Sequence, residues 1–138
     1  MATITQRVMF KNASPKKVYR LYMNAKLHSH ITAGPVKVSE RIGGQLRAFG
    51  GYITGKTLLA VKNALIIQSW RGSDWRAKDP DSVFILSFEK KGRNTTMHMC
   101  HANVPSIHAR GLSQGWNDHY WNPWKEYLAG RTITRPEM

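Results

Sequence analysis

VPSIHARGLSQGWNDHYWNPWKEYLAG, residues 104–130, carries three of the chain's five tryptophans (Trp116, Trp121, Trp124) and two of its five tyrosines (Tyr120, Tyr127). On a helix of 3.6 residues per turn, Ala109, Leu112, Trp116, Tyr120, Pro123, Trp124 and Tyr127 share one side. Asp118, Asn122, Lys125 and Ala129 fall on the other. A helix of that length reaches on the order of 30 Å, about the width of a small domain. The expectation is a long helix lying with its aromatic side on a sheet. Pro123 cannot donate to the helical ladder and crowds the preceding turn, so a kink is expected near Asn122.

The residues before this stretch supply the sheet. Thr3 to Phe10 alternates, with Ile4, Gln6, Val8 and Phe10 on one face. Ser14 followed by Pro15 marks a helix start, with Val18, Leu21 and Tyr22 at helical spacing. A second short helix over Ala25 to Ile31 ends before Gly34-Pro35. From Val36 the chain reads as strands and turns: Val36 to Arg41, Gln45 to Phe49, Thr57 to Val61, Leu65 to Arg71, Val83 to Glu89 and Thr95 to Ala102. Gly50-Gly51 and Gly55 suit bulges or tight bends. Lys90 to Asn94 reads as a hairpin loop. Hairpin-scale connections imply an antiparallel meander of about six strands. The period of two places Ile66, Gln68 and Trp70 on one face, as it does Phe84, Leu86 and Phe88, and Met97, Met99 and His101. The fold class is therefore α+β, one domain over residues 1–130, with a flexible tail expected over 131–138.

Composition narrows the function. A chain of 138 residues can bury a core without staples. No apolar run is long enough for a membrane span, and the first residues lack a signal-peptide layout. The single cysteine, Cys100, excludes an internal disulfide and suits a cytoplasmic setting. Lys plus Arg number 21 against 8 Asp plus Glu, a net +13, which attracts anionic partners. The basic residues are scattered and not interleaved with stacking aromatics, which argues against a nucleic-acid site and for a solvated surface.

The ordered set Ala13-Ser14-Pro15, Val18-Tyr19, Gly43-Gly44, Phe49-Gly50-Gly51, Gly55, Ile67-Gln68-Ser69-Trp70-Arg71, Trp75, Val104-Pro105, Gly115-Trp116 and Tyr120 resembles the C-terminal domain of activators of the heat-shock-protein-90 ATPase. The resemblance runs from about Ile4 to Leu128. It implies the helix-grip (START-like, SRPBCC) superfamily of the birch-pollen allergen, steroid-transfer domains and polyketide cyclases. A curved antiparallel sheet would then grip the C-terminal helix, with two short helices closing one end. In the eukaryotic co-chaperone, stimulation depends heavily on a separate N-terminal domain whose signature these residues lack. A chaperone-associated or stress-response role is thus one hypothesis among several.

The catalytic chemistries find little support. His28 and His30 diverge on a helix, and on a strand His98 and Cys100 face away from His101, so no metal is expected. Cys100 faces outward as an inert thiol. The carboxylates are loop or outer-face residues, and no phosphate loop is present, so no cofactor is expected. What remains is a presumed pocket beneath the last helix for a small hydrophobic molecule or lipid, lined by Gln68, Trp70, Phe84, Met99, His101, Trp116, Tyr120, Trp124 and Tyr127. Plain core packing is the competing reading of the same aromatics. The alternatives to ligand binding are an interaction protein with an acidic or chaperone partner, and a cyclase-like enzyme using His101 and a tyrosine.

Overall fold

The computed structural model describes residues 1–136; Glu137 and Met138, the end of the expected tail, lie outside them. The chain runs β1 (Ala2–Phe10), α1 (Pro15–Met23), α2 (Ala25–Thr32), β2 (Gln45–Ala48), a 3₁₀ turn (Phe49–Gly51), β3 (Ile53–Val61), β4 (Leu65–Gly72), β5 (Ser82–Lys91) and β6 (Asn94–Val104). It closes with α3 (Ser106–Trp116), a π-turn (Asn117–Trp121) and α4 (Asn122–Leu128). The six strands form one antiparallel sheet in the order β1-β6-β5-β4-β3-β2. The long C-terminal helix lies in its concave face and α1 and α2 close one end. This is the helix-grip architecture.

Local chemistry explains the boundaries. Ser14 Oγ accepts from the Lys17 amide at 3.2 Å, capping α1 behind Pro15. Asn24 ends α1 and caps α2, accepting from the Leu27 amide at 3.1 Å. Val36–Arg41, expected as a strand, makes one bridge, Lys37 with Arg47. Beyond that bridge the segment is tied to β3 by a side chain, the Ser39 carbonyl accepting from the Thr57 hydroxyl at 2.6 Å. Gly50 and Gly51 form the 3₁₀ turn, while Gly55 lies inside β3 where neighbouring strands crowd it. A Cβ on Gly55 would sit 1.9 Å from the Ser69 carbonyl oxygen, so glycine alone fits.

The inward faces match the period of two. Gln68 opposes Phe84, which opposes His101, and Leu86 opposes Met99. All five are buried, as are Ile66, Trp70 and Met97.

The helix covering them departs from α geometry upstream of Pro123. The Asn122 amide bonds the Asn117 carbonyl, five residues back, widening one turn around the proline. Where a kink is expected, near Asn122, the chain has this π-turn, and Asn122 itself keeps helical φ −67° and ψ −47°. On an α-helix, residues five apart point about 140° away from each other. Across the π-turn they superpose, and Trp116 stacks on Trp121 at 5.5 Å and 12°. Trp121, which the regular period leaves off the aromatic side, is thereby fully buried. Its indole N–H donates to Gln6 Oε1 at 2.6 Å, while Gln6 Nε2 donates to the Ser113 carbonyl at 2.9 Å. One glutamine of β1 thus clamps α3 and the π-turn together.

The stretch after Gly130 lies against the domain as far as Arg135. Ile133 packs on the core, Thr134 bonds Glu126, and the Arg135 guanidinium donates to the last carbonyls of α2.

Candidate functional site: an aromatic groove beside a packed core

The interior beneath the helix holds two buried polar chains, each with every proton assigned by its partners. In the first, the Trp116 indole N–H donates to His101 Nδ1 at 3.2 Å. Ser82 donates its hydroxyl proton to the Trp70 carbonyl at 2.6 Å, so at 2.8 Å it must accept from His101 Nε2. His101 is therefore a neutral imidazole with both nitrogens committed, and burial lowers its pKa to about 3. In the second, His28 Nδ1 donates to the Tyr22 carbonyl at 2.9 Å, leaving Nε2 to accept from the Tyr120 hydroxyl at 2.9 Å. Burial lowers the pKa of His28 to about 4, against a smaller upward effect of the Tyr22 carbonyl. The Tyr22 hydroxyl donates to Gln68 Oε1 at 2.7 Å.

These chains account for most of the expected pocket lining. Gln68, Phe84, Met99, His101 and Trp124 are buried in close-packed surroundings: Phe84 stacks on Trp116 at 4.3 Å, and Tyr22 and Trp124 meet at 6.4 Å. Tyr22 and His28, which are not among the expected lining residues, take up the space beside Gln68 and Tyr120. Tyr127 is half-buried at the edge of the core, its ring 6.1 Å from that of His30. A cyclase-like mechanism needs His101 to reach a substrate, and it has neither an exposed edge nor a free nitrogen.

The space opens elsewhere. A groove of about 540 Å³ lies between α3 and the strand ends of β3 and β4, and Trp70, Trp116 and Tyr120 of the expected set reach it. Phe49, Tyr52 and Ile53 form one wall and Ile107, Gly111, Leu112 and Gly115 the other; Asp74, His108 and His119 complete the lining. Phe49 holds its wall position at φ 52°, a left-handed conformation that costs a non-glycine residue about 1–2 kcal/mol. Its ring meets His119 at 5.2 Å and Tyr120 at 6.0 Å. Asp74 is set by the loop after β4, which Arg71 ties down by donating to the Arg76 and Asp79 carbonyls and pairing with Asp81 at 3.3 Å. Arg76 also grips Asp79 through its amide and guanidinium, holding that carboxyl below its ordinary pKa. Trp75, on the same loop, stacks on His108 at 6.1 Å and 17°, joining the loop to α3.

Gly111 and Gly115 are one helical turn apart on the groove side. A Cβ at Gly111 would meet nothing within 4 Å, and at Gly115 it would touch only His119 at 3.9 Å. Space beside the helix is therefore real, and the sequence signal for it is two glycines four residues apart inside a helix.

Among the described residues no group of three or more His, Cys, Asp or Glu is placed to hold a metal ion. None of their helices is long and apolar enough to cross a membrane.

A helix-grip domain with a side groove is the class that this geometry defines. Residues 12–129 match the family model for "Activator of Hsp90 ATPase homolog 1-like protein", and the chain belongs to that family. The human protein named activator of 90 kDa heat shock protein ATPase homolog 1 is 25% identical over 116 residues, covering 82% of this chain and 33% of that one. The chain thus spans about a third of that relative's length. Among solved structures, an Hsp90 activator from Plasmodium falciparum superposes with a TM-score of 0.79 at 18% identity, covering 96% of this chain and 99% of that one. CalU16 from Micromonospora echinospora gives 0.78 at 19% identity, covering 94% and 76%. At such identities these structures share the fold.

Proposed function

We propose that residues 1–130 form a non-enzymatic binding domain that takes a small hydrophobic molecule in the groove between α3 and the β3–β4 end. The observation that carries this reading is the opening beside Gly111 and Gly115. Each glycine costs a helix interior about 1 kcal/mol relative to alanine. A purely structural helix would gain by filling the space. Aromatic walls with a few polar groups at the mouth suit a largely apolar ligand. The lone thiol Cys100 fits a reducing, cytoplasmic setting for such a protein.

The test separates packing from binding. Gly111→Ala and Gly115→Ala should each raise stability by up to about 1 kcal/mol in denaturant melts. Gly115→Leu should fill the groove and weaken uptake of a neutral dye such as Nile red by about tenfold. Dye binding that is untouched by the leucine would remove the groove from consideration.

A second reading rests on family membership. The human relative's name, and the Plasmodium protein's, tie the family to the Hsp90 chaperone. The net charge of +13 would favour an acidic surface on such a partner. Immobilised protein should then retain purified Hsp90 at low salt and release it as ionic strength rises. No retention even at low salt would leave this reading without support.

A further inference from the structure

We propose that the ligand of this groove is a flat apolar amine bound as its ammonium ion, the ring body held between helix and sheet and the charged end at Asp74. The inference rests on the reading of the groove as a ligand site and adds the chemistry of what enters it.

Among the described residues that line the groove, Asp74 alone carries a formal charge with histidines neutral. That placement is against the odds in a chain with 21 basic and 8 acidic side chains. The carboxylate is exposed at the mouth, beside the half-buried Tyr52 phenol. Burial first, and then the neighbouring Asp74, push Tyr52 up to about 12, so the phenol keeps its proton at neutral pH.

The two arginines that flank Asp74 in the chain are engaged elsewhere, while the Arg47 guanidinium lies outside the groove lining, against Gly51. Arg71 is committed to Asp81 and to two loop carbonyls, and Arg76 to Asp79. Burial depresses the pKa of His119, with a smaller opposing effect of Asp118, so His119 offers no charge to an anionic ligand at neutral pH. A carboxylate or phosphate ligand would meet Asp74 unaided by any lysine or arginine of the lining.

The walls reinforce the choice. Ring faces attract cations through their quadrupole, and the half-buried Phe49 and Tyr52 line the groove with Asp74. The overall positive field opposes approach of a cation, but beyond about 8 Å it is screened at physiological salt. At the mouth the local carboxylate decides the sign.

The experiment compares three probes of one shape at pH 7: 2-(2-naphthyl)ethylamine, 2-(2-naphthyl)ethanol and 2-naphthylacetate. Dissociation constants are measured by calorimetry or by NMR titration for wild type, Asp74→Asn and Gly115→Leu. The amine is expected to bind about tenfold more tightly than the alcohol, from one partly exposed ion pair plus a cation–ring contact. The acetate should bind most weakly. Asp74→Asn should bring the amine-to-alcohol ratio to about one, and Gly115→Leu should weaken every probe. Alcohol binding as tight as amine, or an amine preference that survives Asp74→Asn, overturns the inference and leaves the groove standing. Failure of all three probes to bind, or indifference to Gly115→Leu, removes the groove reading and the inference with it.

Discussion

Between pH 6.5 and pH 4 the domain is expected to lose most of its stability. His28 and His101 are buried as neutral rings, with folded pKa values lowered to about 4 and about 3 from 6.5. An unfolded chain binds a proton at each below pH 6.5, while the folded chain refuses it until the pH approaches its own lower value. Over that window the unfolded state holds more protons, so stability falls as pH falls; above 6.5 neither histidine contributes a slope. Each pH unit costs about 1.4 kcal/mol per histidine, so the pair amounts to several kcal/mol by pH 4. That is comparable with the whole stability of an ordinary domain. The geometry gives the reason: protonating His101 Nδ1 would set its N–H against the donor-only Trp116 indole, and protonating His28 Nε2 would remove the acceptor of the Tyr120 hydroxyl. Urea melts from pH 8 to pH 4 should show a plateau above about 6.5 and a steep decline below. A midpoint that stays level down to pH 5 would contradict the assignment. His101→Gln should flatten part of the slope while lowering stability at pH 7.

The second large effect is expected at Trp121. Replacing it with alanine removes a fully buried indole, one of whose faces stacks on Trp116, and should cost about 3–5 kcal/mol. Trp121→Phe retains most of the bulk but leaves Gln6 Oε1 without its donor, for about 1–2 kcal/mol. Gln6→Ala in the Trp121→Phe background should then add less than Gln6→Ala does alone, since the two share one bond. Fully additive costs in chemical denaturation would show that the clamp between β1 and the π-turn is not formed.

These two predictions lie on opposite sides of what could be read from the chain. His101 was legible as an inward residue, because Met97, Met99 and His101 alternate on a strand and a strand's facing depends only on its own period. Its role was not, because that is fixed by Ser82, Trp70 and Trp116, which arrive from three other elements. His28 was legible only as a residue that diverges from His30 on a short helix; its buried role is set by Tyr120 and the Tyr22 carbonyl, which come from other elements. Trp121 was left off the aromatic side by the regular helical period, which has no means of registering a π-turn. The pocket was expected beneath the last helix, with Gln68 and His101 in its lining, but Tyr22 packs there on Gln68, and the groove opens instead where Gly111 and Gly115 leave the helix without side chains.

What the chain determined by itself is a set of elements: capped short helices after one strand, a run of alternating strands, and an aromatic helix that only a sheet could cover; the grip that joins them was implied by the family resemblance. Propensity, capping and periodicity act within a few residues, so they survive being read in one dimension. The tertiary structure alone decided which of the inward aromatics became core and which became wall. That outcome depends on where side chains distant in sequence exclude one another, and at α3 they leave room beside two glycines.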